Sequence, residues 1–293
     1  MTKVLHIEPT NVCQARCFMC IRQQVELEPQ SLALSWVREH LDQELIRGLE
    51  RAFFCGVLGD PAATPELIEI AAYLRQVNPD ITLGMNTNGG LREPSFWRKL
   101  AAVFNGPRDY VVFSIDGLED TNHIYRERVD WDKLMANAMA FIEHSANAQW
   151  EMLVFDHNKH QVDECRQRAK ELGFTWFRTK ETHRWAVFPA HTIRPASPPQ
   201  VVNWRDSTPD CERDRERSLY LDHAGRLWPC CHMAAAHSDQ VSPGHKDIKA
   251  ETNTSLLLNY KSRLETKPYN ICRSACGKQP RSEQYKEHSY LRD

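Results

Sequence analysis

Short apolar segments alternate with helical patterns over the first 180 residues of this 293-residue chain, and this alternation most limits the folds available to it. Several of the apolar segments are almost continuously hydrophobic, as expected of parallel strands covered on both faces. The pattern predicts an α/β protein with parallel strands and right-handed helical crossovers. The predicted strands are Val4–Glu8, Ala52–Val57, Ile81–Met85, Tyr110–Ile115, Trp150–Phe155 and Phe174–Arg178.

The segments between these strands show helical periodicity, and the alternation ends after Arg178. The predicted helices are Ser35–Arg51, Pro65–Val77, Trp97–Phe104, Asp132–His144 and Val162–Leu172. Residues 189–209 contain five prolines, which indicates an extended linker. Beyond the linker, Ser218–Asp222 and Arg226–Pro229 predict a hairpin. We therefore predict a core domain over residues 1–195 and a small cysteine-rich domain over residues 196–293.

Charge and hydropathy exclude some classes of partner. The net charge of −2 gives no general attraction to nucleic acid or to an anionic membrane. No apolar stretch has the length of a transmembrane helix, and residues 1–9 lack the apolar core of a signal peptide. We expect a cytoplasmic protein without a membrane partner. Basic residues near the C-terminus alternate with glutamates, so nucleic acid is not indicated.

Ten cysteines are many for such a chain, and in a reducing compartment they indicate metal binding rather than disulfides. Eight of them fall into two groups, and the other two, Cys55 and Cys165, are predicted to be small buried hydrophobic residues. The groups consist of Cys13, Cys17 and Cys20, and of Cys211, Cys230, Cys231, Cys272 and Cys276.

Polar residues and glycines follow each predicted strand. In parallel α/β barrels the carboxyl ends of the strands carry the functional site, so these segments are predicted to meet there. The segments are Cys13–Cys20, Gly56–Pro61, Asn86–Gly90, Ser114–Gly117, Asp156–Asn158 and Thr179–Arg184.

The first of these segments carries three cysteines on one loop. A cubane iron–sulfur cluster is normally closed by four cysteines, so three leave one iron open, as a reactive metal site requires. A zinc site is the alternative, but structural zinc favours paired short spacings and a fourth ligand.

The Cys-x3-Cys-x2-Cys spacing after the first strand of a βα repeat resembles the radical S-adenosylmethionine (SAM) superfamily over residues 3–184. The resemblance implies a partial (β/α)6 barrel and a [4Fe–4S] cluster whose open iron chelates SAM. It further implies that an electron donor such as flavodoxin or ferredoxin supports the cleavage of SAM. The product is a 5′-deoxyadenosyl radical that abstracts hydrogen from a substrate.

The same resemblance implies SAM contacts at the ends of strands two and three. Gly59-Asp60-Pro61 resembles the Gly-Gly-Glu-Pro motif that binds the SAM amino group, with one carboxylate shortened. Asn88 follows strand three and is also predicted to contact the cofactor.

Further contacts are implied around strand four and the cysteine loop. Ser114 and Asp116 match a position that meets the ribose or methionine part of SAM. Arg126 resembles an arginine that pairs with the SAM carboxylate, and a surface cation is the alternative. Met19 stands where the family often has an aromatic residue against the adenine.

The hairpin followed by Trp228-Pro229-Cys230 resembles the auxiliary-cluster domains called SPASM and twitch. This resemblance implies a second [4Fe–4S] cluster, with Cys231 spare or replacing Cys230. The four implied ligands are Cys211, Cys230, Cys272 and Cys276. A structural zinc site is the alternative, since zinc also accepts four cysteines.

The first functional hypothesis is a radical SAM enzyme that oxidises or rearranges a small molecule. The second is a peptide-modifying maturase, although strand one begins too early to leave room for a fused leader-peptide domain. A nucleic-acid-modifying enzyme and a noncatalytic electron carrier are further alternatives. The candidate acid–base residues are His157, Lys180, Glu181 and His183, at the ends of strands five and six.

Overall fold

The computed structural model describes residues 2–144, 147–182, 193–194, 196, 209–236, 262, 272 and 288–291. The chain divides into two compact units, each assembled from three segments. The first unit comprises Met1–Val12, Leu27–Leu83 and Val201–Pro280, and the second comprises Cys13–Glu26, Gly84–Gln200 and Arg281–Asp293. The predicted boundary at residue 195 lies outside the described residues.

The first unit contains a small sheet with the strand order β8-β7-β1-β2. Its strands are β1 (Val4–Ile7), β2 (Arg51–Phe54), β7 (Ser218–Leu221) and β8 (Leu227–Trp228). β1 pairs in parallel with both β2 and β7, while β7 and β8 form an antiparallel pair. The predicted hairpin is therefore confirmed, and its first strand extends a parallel sheet that begins at the N-terminus.

The helices of the first unit are α1 (Leu34–His40), α2 (Gln43–Gly48), α3 (Leu67–Val77), α8 (Glu212–Arg215) and α9 (Cys231–Ala236). They differ from the prediction in one helix that is split and in two short helices, α8 and α9, that were not predicted. The single helix predicted over Ser35–Arg51 is wrong, because the backbone is extended at Leu41 and Asp42 begins a new helix. The Asp42 carboxylate accepts a hydrogen bond from the Glu44 N–H at 2.9 Å, which is a typical N-cap.

The second unit continues the parallel pattern in the order β3-β4-β5-β6-β9. Its strands are β3 (Thr82–Thr87, from Gly84 onward), β4 (Tyr110–Ser114), β5 (Ala148–Leu153), β6 (Trp176–Lys180) and β9 (His288–Tyr290). β9 is antiparallel to β6, and the other pairs are parallel. The predicted strands are thus confirmed in number and order, with ends shifted by a few residues.

Four helices cover this part of the sheet. They are α4 (Pro94–Val103), α5 (Glu119–Tyr125), α6 (Trp131–Ile142) and α7 (Val162–Glu171). Phe113 of β4 is fully buried, with ring contacts to Trp97 of α4 and Phe141 of α6. This aromatic core fixes β4, and therefore the residues at its carboxyl end. The longest helix in the described part of the chain has 12 residues, and none there is long and apolar enough to span a membrane.

Candidate cluster and cofactor site

The three-cysteine loop belongs to the second unit and exposes its thiols unequally. Cys17 is buried, Cys13 and Cys20 are half-buried, and all three are free thiols. The Cys20 N–H donates to the Cys17 carbonyl at 3.0 Å, and a short 3-10 helix begins at Ile21. The loop is therefore an ordered turn that carries three cysteines outside any disulfide bond.

Nitrogen donors from other parts of the second unit reach two of the thiols. Asn88 Nδ2 lies 3.6 Å from Cys13 Sγ, and Gln14 Nε2 donates to Asn88 Oδ1 at 2.7 Å. Arg126 Nη1 lies 3.8 Å from Cys17 Sγ. Burial raises the pKa of Cys17, and the Arg126 guanidinium opposes this shift. Such donors favour the thiolate, which is the form that binds iron.

Arg126 is held by a buried carboxylate. Its Nε donates to Asp116 Oδ2 at 2.6 Å, and Asp116 Oδ1 accepts from the Leu153 N–H at 2.6 Å. The Arg126 side chain is 16% exposed and that of Asp116 is 0% exposed, which excludes the surface-cation interpretation. Burial by itself lowers the pKa of Arg126. Asp116 and Cys17 raise this pKa by more than burial lowers it, so the guanidinium stays charged.

The remaining predicted SAM contacts of the second unit are placed as follows. Met19 is fully buried, whereas the preceding Phe18 is 42% exposed. Ser114 is the last residue of β4 and is partly exposed.

An open depression of about 570 Å³ lies beside Cys13. Arg16, Arg22 and Arg128 line it, and no acidic residue does. Three cysteines on one loop, two of them half-buried and one buried, fit an anionic thiolate-bound cluster, as do the nitrogen donors to sulfur and the basic depression. Among the described residues, no three His, Cys, Asp or Glu side chains are arranged to hold a single metal ion.

The segment that resembles the SAM amino-group motif lies in the first unit. The Asp60 N–H donates to the Val12 carbonyl at 2.9 Å, and Asp60 Oδ1 accepts from the Ala62 N–H at 2.9 Å. A Cβ atom at Gly59 would lie 2.0 Å from the Thr10 carbonyl oxygen. Only glycine allows this close backbone approach. Pro61 begins the short 3-10 helix that follows.

Glu8 was not predicted as a site residue, yet it organises this segment. Its Oε1 accepts hydrogen bonds from the Val57 and Leu58 N–H groups, both at 2.6 Å, and lies 3.4 Å from the Gly59 nitrogen. The Glu8 side chain is buried. The available signal was a carboxylate at the end of an apolar strand, where a buried charge requires partners.

The candidate acid–base residues have different surroundings. The His157 ring stacks on Phe155, burial lowers the pKa of His157, and its Nε2 is buried without a hydrogen-bond partner. Lys180 forms an ion pair with Glu151 at 2.7 Å. Glu181 Oε1 is buried without a hydrogen-bond partner. His183 lies outside the described residues.

Three of the four predicted auxiliary ligands share one buried cluster in the first unit. Cys211, Cys230 and Cys272 are 8%, 5% and 4% exposed and pack with Met233. Cys276 lies outside the described residues. The neighbouring Cys231 interacts electrostatically with both Cys230 and Cys55, and burial raises the pKa of all three thiols.

A parallel α/β chain with three free thiols on the loop after its first strand defines a class of iron–sulfur proteins with an open cluster site. The family profile of the Radical SAM superfamily matches residues 7–173, so this chain belongs to the radical SAM superfamily. Members of this superfamily are enzymes, and membership implies a [4Fe–4S] cluster and SAM as cofactors.

Comparisons with known proteins support the fold. The chain is 28% identical over 123 residues to the tungsten-containing aldehyde ferredoxin oxidoreductase cofactor-modifying protein of Pyrococcus furiosus, covering 42% of this chain and 33% of that protein. The chain thus spans about a third of the length of this curated relative.

Two solved structures are similar over most of the chain. Streptococcus suis SuiB bound to SAM has a TM-score of 0.62 at 14% identity, covering 85% of this chain and 64% of SuiB. The SAM-bound anSMEcpe has a TM-score of 0.59 at 14% identity, covering 93% of this chain and 89% of that chain. The predicted α/β class with a partial barrel fold is therefore confirmed.

Proposed function

We propose that this enzyme cleaves SAM reductively and uses the 5′-deoxyadenosyl radical to abstract hydrogen from a small molecule, which is oxidised or rearranged. The observation that carries the proposal is the ordered loop of three cysteines, two of which have nitrogen donors to sulfur from outside the loop. Cys13, Cys17 and Cys20 would hold the cluster, which would supply the one electron needed to cleave the SAM sulfonium. A flavodoxin or ferredoxin is the proposed electron donor.

Residues in each of the two units are proposed to bind and orient the cofactor. Arg126 keeps a positive charge beside Cys17, and its guanidinium is the proposed partner of the SAM carboxylate. Backbone carbonyls of the Gly59–Pro61 segment are proposed to accept from the SAM amino group, while Glu8 holds the preceding backbone in place. His157 and Glu181 are the proposed proton-transfer residues, because each has a buried polar atom without a hydrogen-bond partner.

A second [4Fe–4S] cluster bound by Cys211, Cys230, Cys272 and Cys276 is part of the proposal. Its support is the shared burial of the first three cysteines, with Cys230 rather than Cys231 in that cluster. The residues from 196 to 293 would then form a SPASM or twitch domain. A closed cluster there can accept the electron left after hydrogen abstraction, and so make the net reaction an oxidation.

A peptide-modifying enzyme is the second candidate. SuiB has also been solved with its precursor peptide SuiA, and anSMEcpe with the Cp18Cys peptide. These chains resemble this one at TM-scores of 0.61 and 0.60, over 85% and 93% of its length. The fold therefore accommodates peptides in its relatives, and a peptide carrying the reactive position is the alternative substrate class.

Anaerobic reconstitution tests the proposal. We expect about eight irons per chain, falling to about four when Cys13, Cys17 and Cys20 are all replaced by alanine. The reduced wild type should convert SAM to 5′-deoxyadenosine, and the triple variant should not. Failure of the reduced wild type to form 5′-deoxyadenosine, with or without candidate substrates, would overturn the assignment. Deuterium transfer from labelled small molecules or peptides would separate the two substrate classes.

The auxiliary cluster has its own matched pair of variants. Cys230→Ala should lower the iron content by about four per chain, while Cys231→Ala should leave it unchanged. Equal iron loss in both variants would contradict the assignment of Cys230. Zinc in place of the lost iron would favour the structural alternative.

A further inference from the structure

The first unit contains a cavity of about 270 Å³ to which the proposed chemistry assigns no ligand. It lies where the carboxyl end of β1 meets the hairpin of β7 and β8, and Glu8, Tyr220 and His223 line it. These side chains belong to residues that are 1%, 1% and 6% exposed. Deep burial of three polar side chains around one cavity is the mark of a built site.

The hydrogen-bonding capacity of these residues is not used up within the protein. The Tyr220 hydroxyl is buried beside the Glu8 carboxylate, to which it can donate, and its oxygen accepts no hydrogen bond from the described residues. His223 Nδ1 is also buried and makes no hydrogen bond of normal geometry there. Glu8 Oε1 is occupied by the backbone of Val57 and Leu58, while its Oε2 lies 3.6 Å from His223 Nδ1. Buried polar atoms without partners are costly, so a group that satisfies them is expected there.

The charged residues that line the cavity determine which kind of ligand group it favours. Arg226 also lines the cavity, but its Nε donates to Asp222 Oδ2 at 2.7 Å and its guanidinium lies over the Trp228 ring. The positive charge of Arg226 is therefore balanced by Asp222 within the hairpin. The carboxylates of Glu8 and Glu28 remain, so the lining is acidic and disfavours an anion.

We propose that this cavity binds the primary ammonium group of an amine ligand. An ammonium group has three N–H donors and no acceptor. Glu8 Oε2, the Tyr220 hydroxyl oxygen and His223 Nδ1, with the histidine proton on Nε2, offer three acceptors. A ligand hydroxyl has one donor and would satisfy fewer of them. Leu27, Val57 and Leu58 supply apolar contacts for a short aliphatic stem.

The test measures binding and needs no turnover, so it does not depend on the proposed radical reaction. The reconstituted wild-type enzyme is titrated with n-butylamine and with n-butanol by calorimetry. We expect saturable binding of the amine and at least about tenfold weaker binding of the alcohol. The reason is that a hydrogen bond to a charged group is stronger than one to a neutral group, by a free energy that corresponds to about tenfold or more in affinity.

Tyr220→Phe removes only the hydroxyl and should weaken n-butylamine binding about tenfold. Tyr73→Phe is the matched control, because Tyr73 is also buried, lies on α3 and is not part of the cavity lining. The Tyr73→Phe variant should bind n-butylamine as the wild type does. Iron content and thermal midpoint report whether each variant is folded. If Tyr220→Phe does not fold, Glu8→Gln replaces it with the same expectation. Equal binding of amine and alcohol, or unaltered amine binding by the folded variant, would overturn the proposal.

Discussion

The Arg126 guanidinium joins a buried carboxylate to one thiol of the cysteine loop. It contacts Asp116 through Nε and Cys17 through Nη1. Because Asp116 is in turn fixed by the Leu153 N–H, the charge beside Cys17 cannot move away from it. The electrostatic environment of that thiol is thus set by a rigid chain of contacts.

Replacing Asp116 tests this chain of contacts. Asp116→Asn removes the negative charge and leaves Arg126 a largely buried, unpaired cation, so we expect a loss of about 3 kcal/mol in the free energy of unfolding. A lower thermal midpoint would report this loss of stability. The control is Glu143→Gln, which breaks the exposed ion pair with Arg98 and should cost less than about 1 kcal/mol. Similar losses in the two variants would contradict the burial argument.

Glu8 offers a second test at the scale of one residue. Glu8→Gln weakens the anchor of the Val57 and Leu58 N–H groups, and we expect about tenfold weaker SAM binding. Iron content should not change, because the cysteine loop is untouched. Glu28→Gln, an exposed carboxylate of the same unit, is the control and should bind SAM normally. Wild-type affinity in Glu8→Gln would show that the segment is positioned by other contacts.

The sequence could locate the cysteines but not their partners. Spacing alone identified Cys13, Cys17 and Cys20 because all three lie on one loop. Glu8 and its backbone partners are about 50 residues apart along the chain, as the numbers of Glu8 and Val57 show, and only the packing of β1 beside β2 brings them together. Contacts of this kind depend on the fold and leave no local pattern.

At the scale of the elements, the close approach of the Gly59 segment to Thr10 is the most demanding feature. Gly59→Ala would force Cβ against the Thr10 carbonyl, so we expect the segment to shift and SAM binding to be lost while the cluster is retained. Isothermal titration with SAM and iron analysis measure the two effects.

Gly48→Ala is the matched control for this substitution. A Cβ atom there meets nothing within 4 Å, and Gly48 is helical, so we expect a gain of about 0.5 kcal/mol in the free energy of unfolding and normal SAM binding. Normal SAM affinity in Gly59→Ala would contradict the close-approach argument.

The elements themselves were predictable where local pattern decides them. Buried parallel strands are continuous apolar runs, so β1 to β6 were found from hydropathy. The break between α1 and α2 was missed because the apolar face continues through Leu41 and Leu45, while a cap at Asp42 interrupts the backbone. α5 was missed because Glu119–Tyr125 is short and polar, and it is fixed by burial of Asn122 and Tyr125.

At the scale of the whole molecule, His6 links stability to pH. Burial, Arg213 and Arg51 lower the pKa of His6 to about 3. In the unfolded chain a histidine titrates near about 6.5. The unfolded state therefore binds an extra proton below pH about 6.5, and stability falls as the pH drops from there toward about 3.

We expect the thermal midpoint of the wild type to fall more between pH 7.5 and pH 5.5 than that of His6→Gln. Within this window the free energy of unfolding of the two proteins can diverge by at most about 1.4 kcal/mol per pH unit, because the histidine binds one proton. Differential scanning fluorimetry at the two pH values is sufficient. An identical fall in both proteins would mean that His6 is charged in the folded state or remains neutral in the unfolded one.

The parallel pairing of β1 with β7 has a consequence for biosynthesis. Val4 pairs with Ser218 and Ile7 with Leu221, so one side of β1 stays unpaired until residues 218–221 are translated. An open strand edge of this kind promotes aggregation. A chain ended at residue 195 should therefore sediment with the insoluble fraction, and a soluble monomer on size-exclusion chromatography would contradict this. The nascent chain thus depends on its C-terminal third, and on whatever shields β1 until then, to reach the folded state.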